Sequence, residues 1–235
     1  VLRPDVRPRR HRLGILRVAG RLYEHRVHLQ GKHMAADIGN NRYMAARRKA
    51  GQAKTGLSIM ICTKNKIHIQ HYTSPCGELL LGSLDDRLCL CNWAVEKHPG
   101  RVDRRLTTGL RAEYQEGPTD ITQEAARQLD QYFSGERKAF DIPLLLVGTD
   151  FQKRVWRQLL SIPYGQTCTY GELAARLGMG KAVRAVANAN GANAISIFVP
   201  CHRVIGSNNT LTGYGGGIEA KKLLLELEHS QPCLP

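Results

Sequence analysis

The residues with the clearest chemical potential stand together in PCHRVIG, residues 200–206, between the apolar run ISIFV and the glycine-rich TGYGGG. Cys201 supplies a thiol with an ordinary pKa of about 8.5, and its thiolate is a soft nucleophile. His202 supplies an imidazole that exchanges protons near neutral pH. Adjacent residues of an extended strand point to opposite faces, so contact between the two side chains needs a turn or a bridging water. Pro200 and the Gly206–Asn209 loop predict such a turn.

Two short helices are predicted just before this segment. Thr169 opens TYGELAARLG and Glu172 follows three residues later, which is a capping box. Gly178-Met-Gly180 predicts a tight turn, and GKAVRAVANANGAN, residues 180–193, predicts a second helix rich in alanine. Two short helices across a glycine turn predict a helix-turn-helix, which is a DNA-binding motif.

Further helices flank this motif. Thr149 is a predicted N-cap for a helix whose apolar residues recur at helical spacing, namely Phe151, Val155, Trp156, Leu159 and Leu160. A closing helix is predicted from Ile218 to Glu228, with core positions at Leu223, Leu224 and Leu227. Earlier, DITQEAARQLDQYF predicts a helix that Asp120 or Thr122 caps and Gly135 ends, with Ala126, Leu129 and Phe133 on one face.

The segment before these helices predicts a sheet. IHIQHY, ELLLGSL and RLCLCNWAV are separated by the turns SPCG and Asp85-Asp86, so they predict an antiparallel β-meander. Cys89 and Cys91 share one strand face and are expected to be buried small hydrophobes. Residues 97–118 are polar and contain Pro and Gly, so they predict a loop. KAFDIPLLLVG predicts a linker followed by a short strand-like run.

These elements predict an α+β fold. We expect a basic extension over residues 1–59, disordered or not native to the functional protein. A small N-terminal domain over residues 60–145 would carry the meander and a helix. A mostly helical domain over residues 146–235 would carry the active site and a winged helix-turn-helix.

Charge is distributed unevenly along the 235 residues. Residues 1–59 contain 14 Lys+Arg and 3 Asp+Glu, so 11 of the 14 net positive charges lie there. Such a segment either binds nucleic acid through its phosphates or is a solvated extension. Met60 is a natural start for the globular part, and the interrupted apolar run before it does not read as a signal peptide.

Seven cysteines are irregularly spaced and form no C-x-x-C pair, which argues against a zinc ribbon or a thioredoxin motif. We expect free thiols in a reducing compartment such as the cytoplasm, with no metal and no cofactor. No run of about 18 uncharged apolar residues is present, so a membrane-spanning helix is not expected.

PCHRVIG with its flanks resembles the active-site signature of the O6-alkylguanine-DNA alkyltransferases. The resemblance continues in order and spacing through FQKRVWRQLLSIPYGQTCTYGELAARLG, KAVRAVANANGAN and GGIEAKKLLLELE, over about residues 149 to 229. TSPCGELLLGSLDDRLCLCNW resembles the smaller N-terminal domain of that family more loosely.

The resemblance implies DNA repair by direct transfer of an alkyl group from guanine O6, and from thymine O4, to Cys201. The product is a stable thioether, so each molecule reacts once. His202 would be the base, acting through a water, and Glu228 would orient and charge-balance it. Asn193 would fix the turn of the cysteine segment, and Tyr170 would hydrogen-bond guanine N3 and help to neutralise the leaving anion.

The resemblance also implies how the base is held. O6 is out of reach of a thiol inside a paired duplex, so the base must be extruded, and Arg184 would fill the gap in the stack. Tyr214 would form one wall of the pocket, and the Gly215 N–H would donate to O6. The backbone carbonyls of Cys201 and Val204 would accept from the exocyclic amine of guanine.

The second helix of the motif carries few groups that read base edges in a major groove. Its small residues would instead let it lie close in the narrow minor groove, as the helix of the family does; they are Ala182, Ala185, Ala187 and Gly191. The implied partner is double-stranded DNA that contains O6-alkylguanine, bound by a monomer. Ser196 stands where some family members have a proline that lines the pocket, which leaves the pocket width open.

Two other hypotheses stay open. A helix-turn-helix regulator would bind DNA with Cys201 as a buried structural thiol. A Cys-His hydrolase would turn over repeatedly, whereas the transferase stops after one equivalent.

Overall fold

The structure is a computed structural model that describes residues 64–95 and 99–230. The expectations for residues 1–59 lie outside the described residues. The described residues belong to one compact unit of mixed α+β architecture, as predicted. None of the helices in this part of the chain combines the length and apolarity needed to cross a membrane. We call residues 64–146 the sheet lobe and residues 149–230 the helical lobe.

The sheet lobe is built on four strands. They are β1 (Asn65–Ser74), β2 (Gly77–Leu84), β3 (Arg87–Trp93) and β4 (Ala112–Glu116), in the spatial order β3-β2-β1-β4. β1 with β2 and β2 with β3 are antiparallel, which confirms the predicted meander, while β4 is parallel to β1. Cys89 and Cys91 are both fully buried, as expected of small hydrophobes.

The loop predicted over residues 97–118 is wrong. Its described part contains the helix α1 (Arg101–Leu110) and the edge strand β4. α1 buries only Val102 and Leu106, which are four residues apart. Two apolar residues in a polar segment are too few to show a helical period in the sequence. β4 buries only Ala112, because an edge strand needs main-chain pairing more than apolar side chains.

The helix predicted over DITQEAARQLDQYF is α2 (Asp120–Phe133), but its N-cap is neither of the predicted residues, Asp120 and Thr122. Thr119 is the N-cap, and it exchanges hydrogen bonds with Thr122 in a capping box. Leu129 and Tyr132 are fully buried. The strand-like run that follows α2 makes one isolated bridge, between Leu144 and Leu88 of β3, and no strand.

The helical lobe contains α3 (Asp150–Leu159), α4 (Tyr170–Arg176), α5 (Val183–Gly191) and α6 (Gly217–Ser230), with 3₁₀ turns at Gly180–Ala182 and Cys201–Arg203. Two-residue strands, β5 (Cys168–Thr169) and β6 (Val204–Ile205), pair in parallel. The predicted caps Thr149 and Thr169 are confirmed, and both form capping boxes. Leu223 is 46% exposed, so its assignment to the core was wrong, and Leu160 is exposed to the same extent.

The helix-turn-helix consists of α4 and α5. Gly178 has φ 72°, a left-handed conformation that suits glycine. Its N–H donates to the carbonyl of Ala175, and the N–H of Met179 donates to the carbonyl of Ala174. This pair of hydrogen bonds is a Schellman motif, which ends the helix. α5 begins at Val183, so Ala182 lies in the preceding 3₁₀ turn and not in the α-helix.

Candidate active site

The segment that leads to Cys201 is a buried turn and not the strand that its apolar run predicts. Cys91 of β3 donates to the carbonyl of Ala194 (2.9 Å) and accepts from the N–H of Ser196 (2.7 Å). The chain then reverses at Ile197, whose φ of 72° is an outlier for a β-branched residue. The N–H of Val199 closes the turn by donating to the carbonyl of Ile195 (2.9 Å). Pairing with β3 lasts for one residue, and the turn then aims the next segment.

Asn193 holds this turn together. Its Nδ2 donates to the carbonyls of Ile195 (3.2 Å) and Val199 (3.0 Å), and its Oδ1 accepts from the N–H of Ile195 (3.0 Å). Nδ2 also lies 3.2 Å from the Cys201 sulfur. One buried amide therefore fixes both the backbone before the cysteine and the thiol itself.

Cys201 and His202 lie in the 3₁₀ turn that follows Pro200. Cys201 is 5% exposed and His202 is fully buried. Burial raises the pKa of the Cys201 thiol, although the Asn193 hydrogen bond and the positive charge of Lys221 oppose the rise. The thiol therefore needs a base to become a thiolate at neutral pH.

His202 contacts Glu228 of α6. Its Nε2 lies 2.8 Å from Glu228 Oε1, and because an ionised carboxylate only accepts, Nε2 carries the proton. Nδ1 is then the basic nitrogen, and it has no hydrogen-bond partner among the described residues. Burial lowers the pKa of His202, while Glu228 partly opposes this. The imidazole is therefore held neutral, with its base nitrogen free.

Arg203 is a member of the site that the sequence analysis missed. Its Nε and Nη2 donate to the two oxygens of Glu228, both at 2.9 Å, and its Nη1 donates to the carbonyl of Ile162 (2.6 Å). Burial alone would raise the pKa of Glu228, but His202 and Arg203 outweigh it and lower the value to about 2. Arg203 supplies the countercharge, so Glu228 orients His202 without requiring an imidazolium.

Lys221 of α6 is a second residue that was missed. It is fully buried, and its Nζ donates to the carbonyls of Val204 (2.6 Å) and Thr212 (2.9 Å). The sequence contained a signal for it, because Lys221 is seven residues before Glu228 and therefore lies on the same helix face. Lys221 therefore joins α6 to β6 and to the loop that follows β6.

Cys201 lies on the wall of a pocket of about 60 Å³. The wall also includes Asn190, Asn193, Tyr214 and Gly215 of the helical lobe and Arg101 and Val102 of α1. Val204, expected to read the guanine amine, does not line this pocket, and its carbonyl is bound by Lys221. The Tyr214 ring packs edge-on against Trp93 of β3, with ring centroids 5.7 Å apart.

A groove beside the pocket runs along α5. Ala187, Gly191 and Tyr170 line it together with the loop residues Tyr214 and Gly215, which also line the pocket. Burial raises the pKa of Tyr170, so its hydroxyl is a proton donor at neutral pH.

Arg184 and Ala185 are exposed on α5, away from the core-facing residue Val186. Arg184 shares a helix face with Ala187 and Gly191, at spacings of three and seven residues. Ala182, in the 3₁₀ turn before α5, is half-buried. The structure thus brings Arg184, Ala187 and Gly191 to one side of α5, with Ala185 and Ala182 at its edge.

Residues 64–95 and 99–230 contain no group of three or more His, Cys, Asp or Glu side chains that could hold an ion.

Two family models match this chain. The 6-O-methylguanine DNA methyltransferase, ribonuclease-like domain, matches residues 67–146, and the 6-O-methylguanine DNA methyltransferase, DNA binding domain, matches residues 150–230. The two matches cover the sheet lobe and the helical lobe respectively.

Known relatives agree with these models. A methylated-DNA--protein-cysteine methyltransferase of Methanosarcina acetivorans is 45% identical over 159 residues, which span 68% of this chain and 96% of that protein. Its counterpart in Mycobacterium leprae is 46% identical over 168 residues, spanning 70% of this chain and 94% of that protein. The crystal structure of Mycobacterium tuberculosis OGT in complex with DNA is 44% identical, with a TM-score of 0.60, and covers 69% of this chain and 93% of that chain. The chain therefore belongs to the 6-O-methylguanine DNA methyltransferase family.

Proposed function

We propose that this protein repairs DNA by transferring an alkyl group, typically methyl, from guanine O6 to Cys201, once per molecule, with thymine O4 as a further donor atom. The observation that carries the proposal is the position of the Cys201 sulfur, on a pocket wall 3.2 Å from Asn193 Nδ2 and one residue before the His202–Glu228 pair.

The reaction begins with the thiol proton. Because burial raises the pKa of Cys201, the thiol is protonated at rest and needs a base. Its proton passes through a water molecule to His202 Nδ1, and the sulfur becomes a thiolate. The sulfur then bonds to the alkyl carbon as the bond from that carbon to O6 breaks, and the electron pair leaves with guanine. The guanine takes up one proton in place of the alkyl group, so the products are a thioether and unmodified guanine.

Two hydrogen-bond donors would stabilise the negative charge that develops on guanine. The Tyr170 hydroxyl would donate to N3, and the Gly215 N–H would donate to O6; both residues line the groove that joins the pocket. Donors placed where charge develops lower the barrier more than they stabilise the ground state. Tyr214 would pack against the base.

The DNA partner would bind along α5. Gly191 and the neighbouring alanines allow the helix to approach the minor groove closely, and Arg184 projects from the same side. The structure of the Mycobacterium tuberculosis protein in complex with DNA supports DNA as the partner. We assign binding to a monomer, because one chain carries the groove, the pocket and the thiol.

Intact mass after reaction tests the proposal. A duplex oligonucleotide with one O6-methylguanine should add a single methyl group to the protein, and peptide mapping should place it on Cys201. Cys201→Ala should gain nothing but still bind the duplex, whereas Cys76→Ala, which removes another thiol, should gain the methyl group normally. An unmodified wild-type protein would contradict the proposal and favour a DNA-binding regulator, and continued product formation past one equivalent would favour a hydrolase.

A further inference from the structure

We propose that Tyr132 of α2 is a positioning residue for the transfer reaction, through which the sheet lobe orients Glu228 and tunes the basicity of His202. This inference rests on the proposed function, because it concerns the same cysteine. It assigns the sheet lobe a part in the chemistry, beyond packing.

The contact is direct and fully enclosed. The Tyr132 hydroxyl donates to Glu228 Oε1 at 2.8 Å, and the two residues are 96 positions apart in the chain. Tyr132 is fully buried and Glu228 is 2% exposed. Hydrogen bonds to a charged group in such surroundings are stronger than those between neutral groups.

The ring of Tyr132 is held independently of its hydroxyl. It packs against Phe133, Phe140 and Tyr164, with ring centroids 5.3, 5.4 and 6.1 Å away. Burial raises the pKa of Tyr132 well above its ordinary value, so the hydroxyl keeps its proton and remains a donor. Phenylalanine at this position would keep the ring packing and lose only the hydrogen bond.

The oxygen that Tyr132 contacts is the one that holds His202. Glu228 Oε1 accepts from Tyr132, from His202 Nε2 (2.8 Å) and from Arg203 Nη2 (2.9 Å). Each donor withdraws negative charge from this oxygen, and therefore weakens the attraction that favours a protonated imidazole. Removal of the Tyr132 hydroxyl should raise the pKa of His202.

Other ionisable groups surround the imidazole and remain unchanged in this comparison. They are Glu228 and Lys221 of α6, Cys201 and Arg203 of its own turn, Tyr214 of the loop, and Tyr164 near Arg203. Because these groups are the same in wild type and in Tyr132→Phe, a difference in the His202 pKa between the two proteins can be assigned to the lost hydroxyl.

The test is the pH dependence of Cys201 alkylation by free O6-benzylguanine, which needs no DNA binding. In wild type the rate constant should fall as the pH drops through the pKa of His202. In Tyr132→Phe this acid limb should move to higher pH by roughly half a unit, so that rates within the limb fall about threefold. The rate constant above the limb should remain close to that of wild type.

Tyr72→Phe is the matched control. The Tyr72 hydroxyl also donates to a carboxylate of α2, Asp130 Oδ1 at 2.8 Å, whereas the carboxylate that contacts His202 is Glu228. This variant also loses a tyrosine–carboxylate hydrogen bond in the sheet lobe, although a more exposed one, and should keep the wild-type pH profile. A general loosening of the sheet lobe would alter both variants alike.

Replacement of Tyr132 by 3-fluorotyrosine extends the test to a variant with the native shape. Its hydroxyl is a stronger donor, so the acid limb should move to lower pH, opposite to Tyr132→Phe. If both variants of Tyr132 react with O6-benzylguanine and the acid limb of their pH–rate profiles lies at the wild-type pH, the role of Tyr132 is overturned and the proposed function is left intact. Failure of wild type to react with both O6-benzylguanine and O6-methylguanine DNA would overturn the proposed function, and this inference with it.

Discussion

At the scale of single residues, Glu228 is where the polar contacts of the site converge. Its two oxygens accept five hydrogen bonds, from Tyr132, Gly165, His202 and twice from Arg203. Gly165 has φ 73°, and a Cβ there would lie 3.1 Å from the Glu228 carbonyl, so glycine permits this approach. A buried carboxylate remains ionised only when it is paired and hydrogen-bonded to this extent.

The low pKa of Glu228 predicts loss of stability in acid. Its folded value of about 2 is below the ordinary 4.5, so its contribution is complete above about pH 4.5 and is lost as the pH falls towards 2. The lowered pKa of His202 acts with the same sign, beginning below about pH 6.5. The free energy of unfolding in urea, measured between pH 7 and pH 3, should fall by about 2 kcal/mol through the Glu228 component, with the remainder lost below pH 3.

Glu228→Gln provides the control for this prediction. At pH 7 it should be less stable by roughly 3–5 kcal/mol, because Arg203 then lies buried without its countercharge. Its remaining stability should depend less on pH below about 4.5 than that of wild type. Parallel curves for the two proteins would contradict the assignment.

At the scale of elements, α5 is short and presents two different faces. Val186, Ala189 and Asn190 are buried, and the carbonyl of Ala189 accepts from Trp156 Nε1 of α3 (2.8 Å), which anchors the helix. The opposite side carries Arg184 and small residues beside the groove. The helix therefore presents one long charged side chain from a nearly smooth surface.

Arg184→Ala should separate base extrusion from chemistry. Unstacking a base from a duplex costs a few kcal/mol, so loss of the side chain that fills the gap should slow methyl transfer from duplex DNA by about tenfold or more. Alkylation by free O6-benzylguanine should change less than about twofold, since no base is extruded. Single-turnover rates on both substrates provide the measurement.

Arg176→Ala is the comparison variant, because it removes one exposed arginine from the neighbouring helix α4. It should slow the duplex reaction much less than Arg184→Ala does. An equal loss on duplex and free base for Arg184→Ala would contradict its role in extrusion.

At the scale of the whole molecule, the candidate active site lies between the sheet lobe and the helical lobe. β3 pairs with the turn at Ile195, and Trp93 at its end packs on Tyr214 and on the glycines before α6. α1 lines the pocket through Arg101 and Val102. The sheet lobe thereby supports the cysteine turn and the pocket loop, and through Tyr132 it also contacts Glu228.

Gly216 lies against the Trp93 ring, where the helical lobe meets the sheet lobe. A Cβ at this position would lie 2.3 Å from Trp93 Cε2, in a ring that is 96% buried and has little room to move. Gly216→Ala should therefore lower the free energy of unfolding by about 1–3 kcal/mol, the usual cost of overpacking. Urea denaturation measures the change, and slower alkylation of Cys201 should accompany it because the displaced loop carries Tyr214.

Gly180→Ala is the matched substitution, since a Cβ there would have no atom within 4 Å. Its stability should stay within about 0.5 kcal/mol of wild type. Equal effects of the two substitutions would show that Trp93 does not depend on a glycine at 216.

The elements that followed correctly from the sequence are those whose signals are local. The caps at Thr149 and Thr169, the glycine turn at 178 and the meander each depend on residues a few positions apart. α1 and β4 were missed, because their stability comes from burial of two side chains and from pairing with β1. β1, with which β4 pairs, is distant in sequence, since Asn65 pairs with Ala112, 47 positions later.

The sequence alone was enough to propose Cys201 as the nucleophile and His202 as its base, through a long resemblance that also pointed to Glu228 and Asn193. Only the tertiary structure showed that ISIFV is a turn held by β3, and that Arg203, Lys221 and Tyr132 complete the polar network. The physical reason is that burial and hydrogen-bond partners decide what an ionisable side chain does. For these three residues the partners lie 9 to 96 positions away, where no local pattern records them.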